Sequence, residues 1–147
     1  MLRVAQTMKE LPFGQLMQVY SDEYDVQQEQ AFYAYLRECF FRTPGAAYYL
    51  WYQGSECVSA LRLEPWRDGM LVAGLHTAPD HRKRGMAKQL LMAVQEHCSE
   101  RLYSHIHKAN TPSVLVHESC GFRKISGIAS YLDGSCDHKS ATYMFEK

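Results

Sequence analysis

The stretch GLHTAPDHRKRGMAKQLLMAV, Gly74 to Val94, decides how this chain folds. It reads as a strand, then a short basic turn holding one glycine, then an amphipathic helix. Ala87, Leu90, Leu91, Val94 and Cys98 recur at helical spacing, so one apolar stripe faces a sheet while Lys88, Gln89 and Glu96 point elsewhere. The start of that helix collects backbone donors. Its first N–H groups lack partners and its dipole is positive, which favours phosphate oxygens there. Gly85 permits close approach to the backbone, and small Ala87 leaves room beside it. The run Arg82, Lys83, Arg84 also fits a solvated charged turn; its place between strand and helix is what favours phosphate.

Upstream, AAYYLWYQ and CVSALRLEPW flank Gly54 and Ser55, and Arg67-Asp68-Gly69 turns into MLVAGLHTA, which predicts three strands in an antiparallel meander. LRVAQ predicts a short first strand. Leu11 to Tyr20 and Gln30 to Arg42 carry helical spacing, ended by Pro44 and Gly45. Phe32, Tyr33, Tyr35, Phe40 and Phe41 are expected to pack as a helix face against the sheet, with some free to line an acceptor pocket. Downstream, LYSHIH reads as a strand, and Thr111 with Pro112 starts a helix that Gly121 stops. Strands around Ile125 to Leu132 and Ala141 to Phe145 close a mixed α+β order. The chain reads as a single domain, residues 1–147, long enough to bury its own core.

Sixteen lysines and arginines balance sixteen aspartates and glutamates, so no global field favours nucleic acid or an acidic membrane. Any phosphate binding must be local. MLRVAQTMKELPFGQL lacks the apolar core of a signal peptide, and no stretch approaches a membrane span, so a cytoplasmic protein is expected. The five cysteines, Cys39, Cys57, Cys98, Cys120 and Cys136, form no Cys-x-x-Cys pair and are expected to be buried, reduced thiols. His105 and His107 share one face of a strand, but no third ligand accompanies them, and no metal site is predicted.

Arg82-x-x-Gly85-x-Ala87 resembles the Arg/Gln-x-x-Gly-x-Gly/Ala pyrophosphate loop of the GNAT acetyltransferases. Asn110, followed by Ser113, His117, Gly121 and Phe122, is similar to that family's Asn-x-x-Ala-x-x-x-Tyr-x-x-x-Gly-Phe segment. The resemblance implies a mixed, mostly antiparallel central sheet flanked by helices, with the fourth and fifth strands splayed around the pantetheine arm of acetyl-CoA. It implies that Leu75 and Thr77 offer backbone groups to that arm, that Arg82, Lys83, Arg84, Gly85, Met86 and Ala87 hold the pyrophosphate, and that Asn110 binds the pantetheine. It further implies direct acetyl transfer to a primary amine of a small molecule or peptide in a ternary complex. Cysteine is then dispensable for chemistry, and homodimers are common in such proteins.

The sequence departs from the family pattern at three places. Ala87 replaces a second glycine, His117 stands where a tyrosine usually protonates the leaving thiolate, and Leu71 and His105 stand where some members carry a carboxylate base. His117 is therefore the expected proton donor to the thiolate, and His105 the expected acceptor of the amine's proton. Glu64 reads as a solvated strand-end carboxylate or as an alternative base. The alternative function is an acyl-CoA-binding module without catalysis. Asp22, Glu23 and Asp25 make the connection between the first two helices acidic, which suits a cationic acceptor or simply a solvated loop.

Overall fold

Pairing along the edges of three long strands sets the architecture of the computed structural model, which describes residues 1–147. The strands are β1 (Leu2–Ala5), β2 (Ala47–Gln53), β3 (Glu56–Trp66), β4 (Gly69–Thr77), β5 (Arg101–His107), β6 (Arg123–Ser126), β7 (Ala129–Ser130), β8 (Cys136–Asp137) and β9 (Ser140–Phe145). The helices are α1 (Phe13–Val19), α2 (Val26–Glu38), α3 (Met86–His97) and α4 (Thr111–Ser119). Seven strands form one sheet in the order β1-β2-β3-β4-β5-β9-β6, antiparallel everywhere except between β4 and β5. The expected meander is β2-β3-β4. Its second turn is tight, with Trp66 opposite Gly69 and Arg67 at φ 51.

Local chemistry shifts several boundaries. α2 begins at Val26, earlier than its apolar spacing suggests, because Asp25 and Gln28 form a reciprocal capping box. It ends at Glu38, so Phe40 and Phe41 sit in a separate 3₁₀ turn, Phe40–Arg42, and not on α2. Phe32 and Phe40 are buried as expected, whereas Tyr33 and Tyr35 are exposed. The segment read as one closing strand, Ile125 to Leu132, divides into β6 and β7, and β7 pairs with β8 in a small separate hairpin. Cys57, Cys98 and Cys120 are buried, but Cys39 and Cys136 are exposed, which corrects the expectation that all five are packed.

Alternation along the strands divides the core. Tyr48, Leu50 and Ala60 pack under α1 and α2 with Leu16, Val19, Phe32 and Leu36. Leu61, Leu63, Val72, Leu102 and Ile106 face the other way and meet Leu90, Leu91 and Val94 of α3 and Phe122 after α4. Gln95, buried on α3, donates to the Cys120 carbonyl at 2.7 Å and fixes α3 to the end of α4.

β4 and β5 pair only from Gly69 opposite Arg101 to Val72 opposite Ser104. Beyond that point they separate. Between Arg62 and Ala60 of β3, β4 inserts an extra residue, so Ala73 and His76 oppose them with Gly74, at φ +63, in the bulge. β5 meanwhile stays on β9 through His107. The splayed strands thus arise from one bulge on one side and an unbroken ladder on the other.

Candidate acyl-transfer cleft

The gap left by the separation is a cleft of about 170 Å³, lined on one wall by Val72 to Leu75 and on the other by Ser104 to His107. Asn110, Ser113 and His117 close it from α4. Of the residues singled out in the sequence, Leu75, Asn110, His105 and His117 therefore converge. Asn110 also caps α4, its side chain accepting from Ser113 N–H.

The two histidines approach the cleft from opposite faces of the sheet. His117 lies on the α3/α4 side, edge-on to Phe122 at 4.9 Å, and is almost fully buried. Its Nδ1 donates to the Ser113 carbonyl at 2.7 Å, which leaves Nε2 sealed from solvent without a partner. Burial holds its pKa below the usual imidazole value. In this tautomer Nε2 carries a lone pair and is an acceptor, so a neutral His117 has no free proton to give to a sulfur. His105 lies on the other face, edge-on between Trp66 at 5.1 Å and Tyr131 at 5.0 Å. Both of its ring nitrogens lack partners, and burial, then the nearby Arg67 cation, lowers its pKa.

Past the end of β4, a 3₁₀ turn at Pro79–His81 leads into the basic loop and α3. Gly85 takes the left-handed conformation, φ 76, and a Cβ placed there would meet no atom within 4 Å. The N–H groups of Gly85, Met86, Ala87 and Lys88 find no acceptor in the protein, and no side chain caps the helix. Lys83, also at positive φ, and Arg84 are exposed beside them without a carboxylate partner. This is an open cradle of donors, and a pyrophosphate fits it. Met86 contributes only backbone, since its side chain is buried in the core.

Arg82 behaves differently from its neighbours. Its Nε donates to the Thr77 carbonyl at 3.1 Å and its Nη2 pairs with Asp22 at 2.7 Å, with His76 Nε2 at 2.9 Å. His76 also contacts Asp22 and Glu23 and stacks on Tyr20 at 5.2 Å. Hydrogen bonds from His76, then Arg82, hold the Asp22 carboxyl down to about 2. The acidic connection is thus largely neutralised within the protein, and Asp25 is spent capping α2, which removes the reason for expecting a cationic acceptor. Leu71 is buried beside Trp66, Tyr103 and Met144, and Glu64 lies on β3 without a charged partner.

The profile of the acetyltransferase (GNAT) family matches residues 13–122. The chain belongs to this family. Solved structures agree on the fold. A putative GNAT-family acetyltransferase from Bordetella pertussis superposes with a TM-score of 0.71 at 18% identity, covering 99% of this chain and 95% of that one. A GNAT-family acetyltransferase from Bacillus cereus gives 0.69 at 15%, over 100% and 98%. A PaiA N-acetyltransferase from Thermoplasma acidophilum, solved in complex with coenzyme A, gives 0.65 at 9%, over 100% and 99%. No curated protein matches the chain in sequence. Membership in the GNAT family makes this an acetyltransferase fold built for acyl transfer from acyl-CoA.

Sequence reading passed over three features of the site: Arg62 beneath the bulge, the His76–Asp22–Arg82 cluster, and Tyr131 over His105. Arg62 left a signal, being a charged residue two positions from Ala60, on the face of β3 that packs under α1 and α2. The other two join segments more than 25 residues apart and leave none.

Proposed function

We propose that this protein transfers an acetyl group from acetyl-CoA directly to a primary amine of a small molecule or peptide, in a ternary complex within one domain spanning residues 1–147. The observation that carries this reading is an open cradle of backbone donors at the start of α3, reached from the same β4 that walls a cleft flanked by two histidines. Gly85, Met86 and Ala87 hold the pyrophosphate through backbone N–H groups, and Lys83 and Arg84 add charge. Leu75, Thr77 and Asn110 hold the pantetheine arm, and Arg82 shapes the loop through Thr77 more than it meets phosphate. Bound acetyl-CoA supplies the activated thioester.

His105, neutral at physiological pH with both nitrogens free, takes the proton of the incoming ammonium on the α1/α2 face. His117 starts without a proton at Nε2, so it protonates the departing thiolate only if water admitted by the open cleft first delivers a proton to that nitrogen, which the thiolate then takes. Charging it opposes burial, and the Ser113 carbonyl is the partner that steadies the charged ring. The five thiols take no part, because a direct transfer needs no enzyme nucleophile. The inactive acyl-CoA-binding alternative draws on the absence of the usual tyrosine and carboxylate, and the His105 ring with both nitrogens free at the cleft is what favours catalysis over it.

Turnover of acetyl-CoA with a panel of amines, read by released thiol, tests the proposal. Amine-dependent thiol release is expected, with loss in His105→Ala. Tight coenzyme A binding without release from any amine would establish the inactive module instead.

A further inference from the structure

Arg62 projects from β3 to the α1/α2 face, half-buried, with Nε and Nη1 sealed from solvent and without a hydrogen-bond acceptor. No carboxylate pairs with it. Its neighbours are aromatic: the guanidinium sits 5.4 Å from the Phe32 ring centroid and 5.9 Å from that of Tyr48. The phenols around it are neutral, since burial raises the pKa of Tyr20, Tyr24, Tyr35 and Tyr48. Tyr20 donates to the Gly74 carbonyl at 2.6 Å and lies 2.6 Å from the Tyr48 hydroxyl. Ring faces attract the cation, and the Tyr48 and Tyr24 phenol oxygens can accept from it, but neutral groups do not balance its charge and Nε and Nη1 stay without partners. Keeping a guanidinium in such a place is costly unless an anion completes it.

Its position relates it to the cleft. Gly74 lines the cleft, and a Cβ there would stand 2.8 Å from Arg62 Nη1 and 3.2 Å from the Tyr20 hydroxyl. The guanidinium therefore lies against Gly74, a residue of the cleft wall, without itself lining the cleft. Arg62 opposes Ala73, and the residue after the last β4–β5 pair, Val72 with Ser104, places His105 beyond Ala73 on the same face. Arg62 and His105 thus stand on one face of the sheet, with the gap between the separated β4 and β5 lying between them. The other charges on this face do not answer Arg62: Glu64 stands two residues along β3, Asp22 and Glu23 are tied to His76 and Arg82, and Arg67 holds Ser130.

We propose that Arg62 receives a carboxylate of the acceptor, so that the preferred substrates are amino acids whose carboxylate stands apart from the reacting amine, and not simple amines. This rests on the acyl-transfer reading above. A guanidinium takes a carboxylate bidentately, with donors fixed in one plane, and such a pair distinguishes the acid from its decarboxylated amine by about 10- to 100-fold.

The test compares 4-aminobutyrate with propylamine, and β-alanine with ethylamine, in acetyl-CoA turnover by the parent, Arg62→Met and Arg62→Lys. In the parent each acid is expected to exceed its amine in kcat/KM by that factor, mainly through KM. Arg62→Met brings the ratio close to one, and Arg62→Lys, which keeps charge but not the fork, falls between. Equal use of acid and amine by the parent overturns the proposal, as does an undiminished ratio in Arg62→Met that still folds and binds coenzyme A. If no amine is acetylated, the acyl-transfer reading fails separately, and calorimetry of 4-aminobutyrate against protein saturated with coenzyme A decides about Arg62. Binding lost in both variants supports the carboxylate site, and absence of binding to the parent overturns it.

Discussion

Replacing Gly85 by valine separates what the loop costs the fold from what it gives the ligand. No protein atom lies within 4 Å of the position a Cβ would take, so the new side chain meets no steric resistance in the free protein. The backbone conformation is the only penalty, since φ 76 lies in the left-handed region. For an ordinary residue that costs about 1–2 kcal/mol, more for a β-branched one. In a chain of this size each kcal/mol moves Tm by about 2–4 °C, so Gly85→Val should melt about 4–8 °C lower and Gly85→Ala somewhat less. Coenzyme A should behave otherwise. Phosphate oxygens must come within about 3 Å of the Gly85, Met86 and Ala87 N–H groups, and an isopropyl group in that open space excludes them. Coenzyme A at about 100 times its dissociation constant stabilises the parent by about 2.7 kcal/mol, a rise of about 5–11 °C. The same concentration should leave Gly85→Val nearly unmoved. Thermal melts with and without coenzyme A, backed by calorimetric affinities, provide the measurement. An unchanged affinity in Gly85→Val, with the expected loss of Tm, would refute the placement of pyrophosphate at this helix start.

Other outcomes follow from the same geometry. His105 titrates below its usual value, so the acidic limb of the kcat/KM profile should lie below pH 6.5 in the parent and vanish in His105→Ala; a limb that persists assigns the base elsewhere. His117 is also lowered, so in the window below pH 6.5 the unfolded chain binds more protons and stability is lost as pH falls, whereas above 6.5 the group contributes nothing. Melts of His117→Phe between pH 5 and 8 should show a flatter acid side, and an unaltered slope would show that His117 is not the group responsible. Asp22 pairs with Arg82 on the exposed surface, and its pair persists until pH approaches 2, so it cannot shape activity near neutrality. Asp22→Asn should change coenzyme A affinity by less than about fivefold, as for exposed ion pairs. The acceptor KM should change more, because the α1–α2 connection loses its anchor on β4; the reverse ranking would place Arg82 on the phosphates.

Much of this protein was legible in the chain alone, because the decisive signals are local. Helical spacing from Ala87 to Cys98, a glycine at the turn before it, and Asn110 ahead of Thr111-Pro112 are set by neighbours in sequence, and the structure places α3 and α4 there. The meander was equally plain, since each strand is followed by its own turn. Boundaries failed where side-chain chemistry outranked apolar spacing: the Asp25 and Gln28 capping box started α2 early, and two short pairings broke the segment read as a single closing strand. Tertiary structure alone decided the rest. The bulge at Gly74 depends on β3 having one residue fewer between the same partners. The direction of the His117 proton depends on a carbonyl one turn back, and the neutralisation of Asp22 on a loop 60 residues away. Arg62 shows the physical reason most clearly. Its type and strand position were readable, but whether a buried cation has a partner is a property of every segment that folds over it.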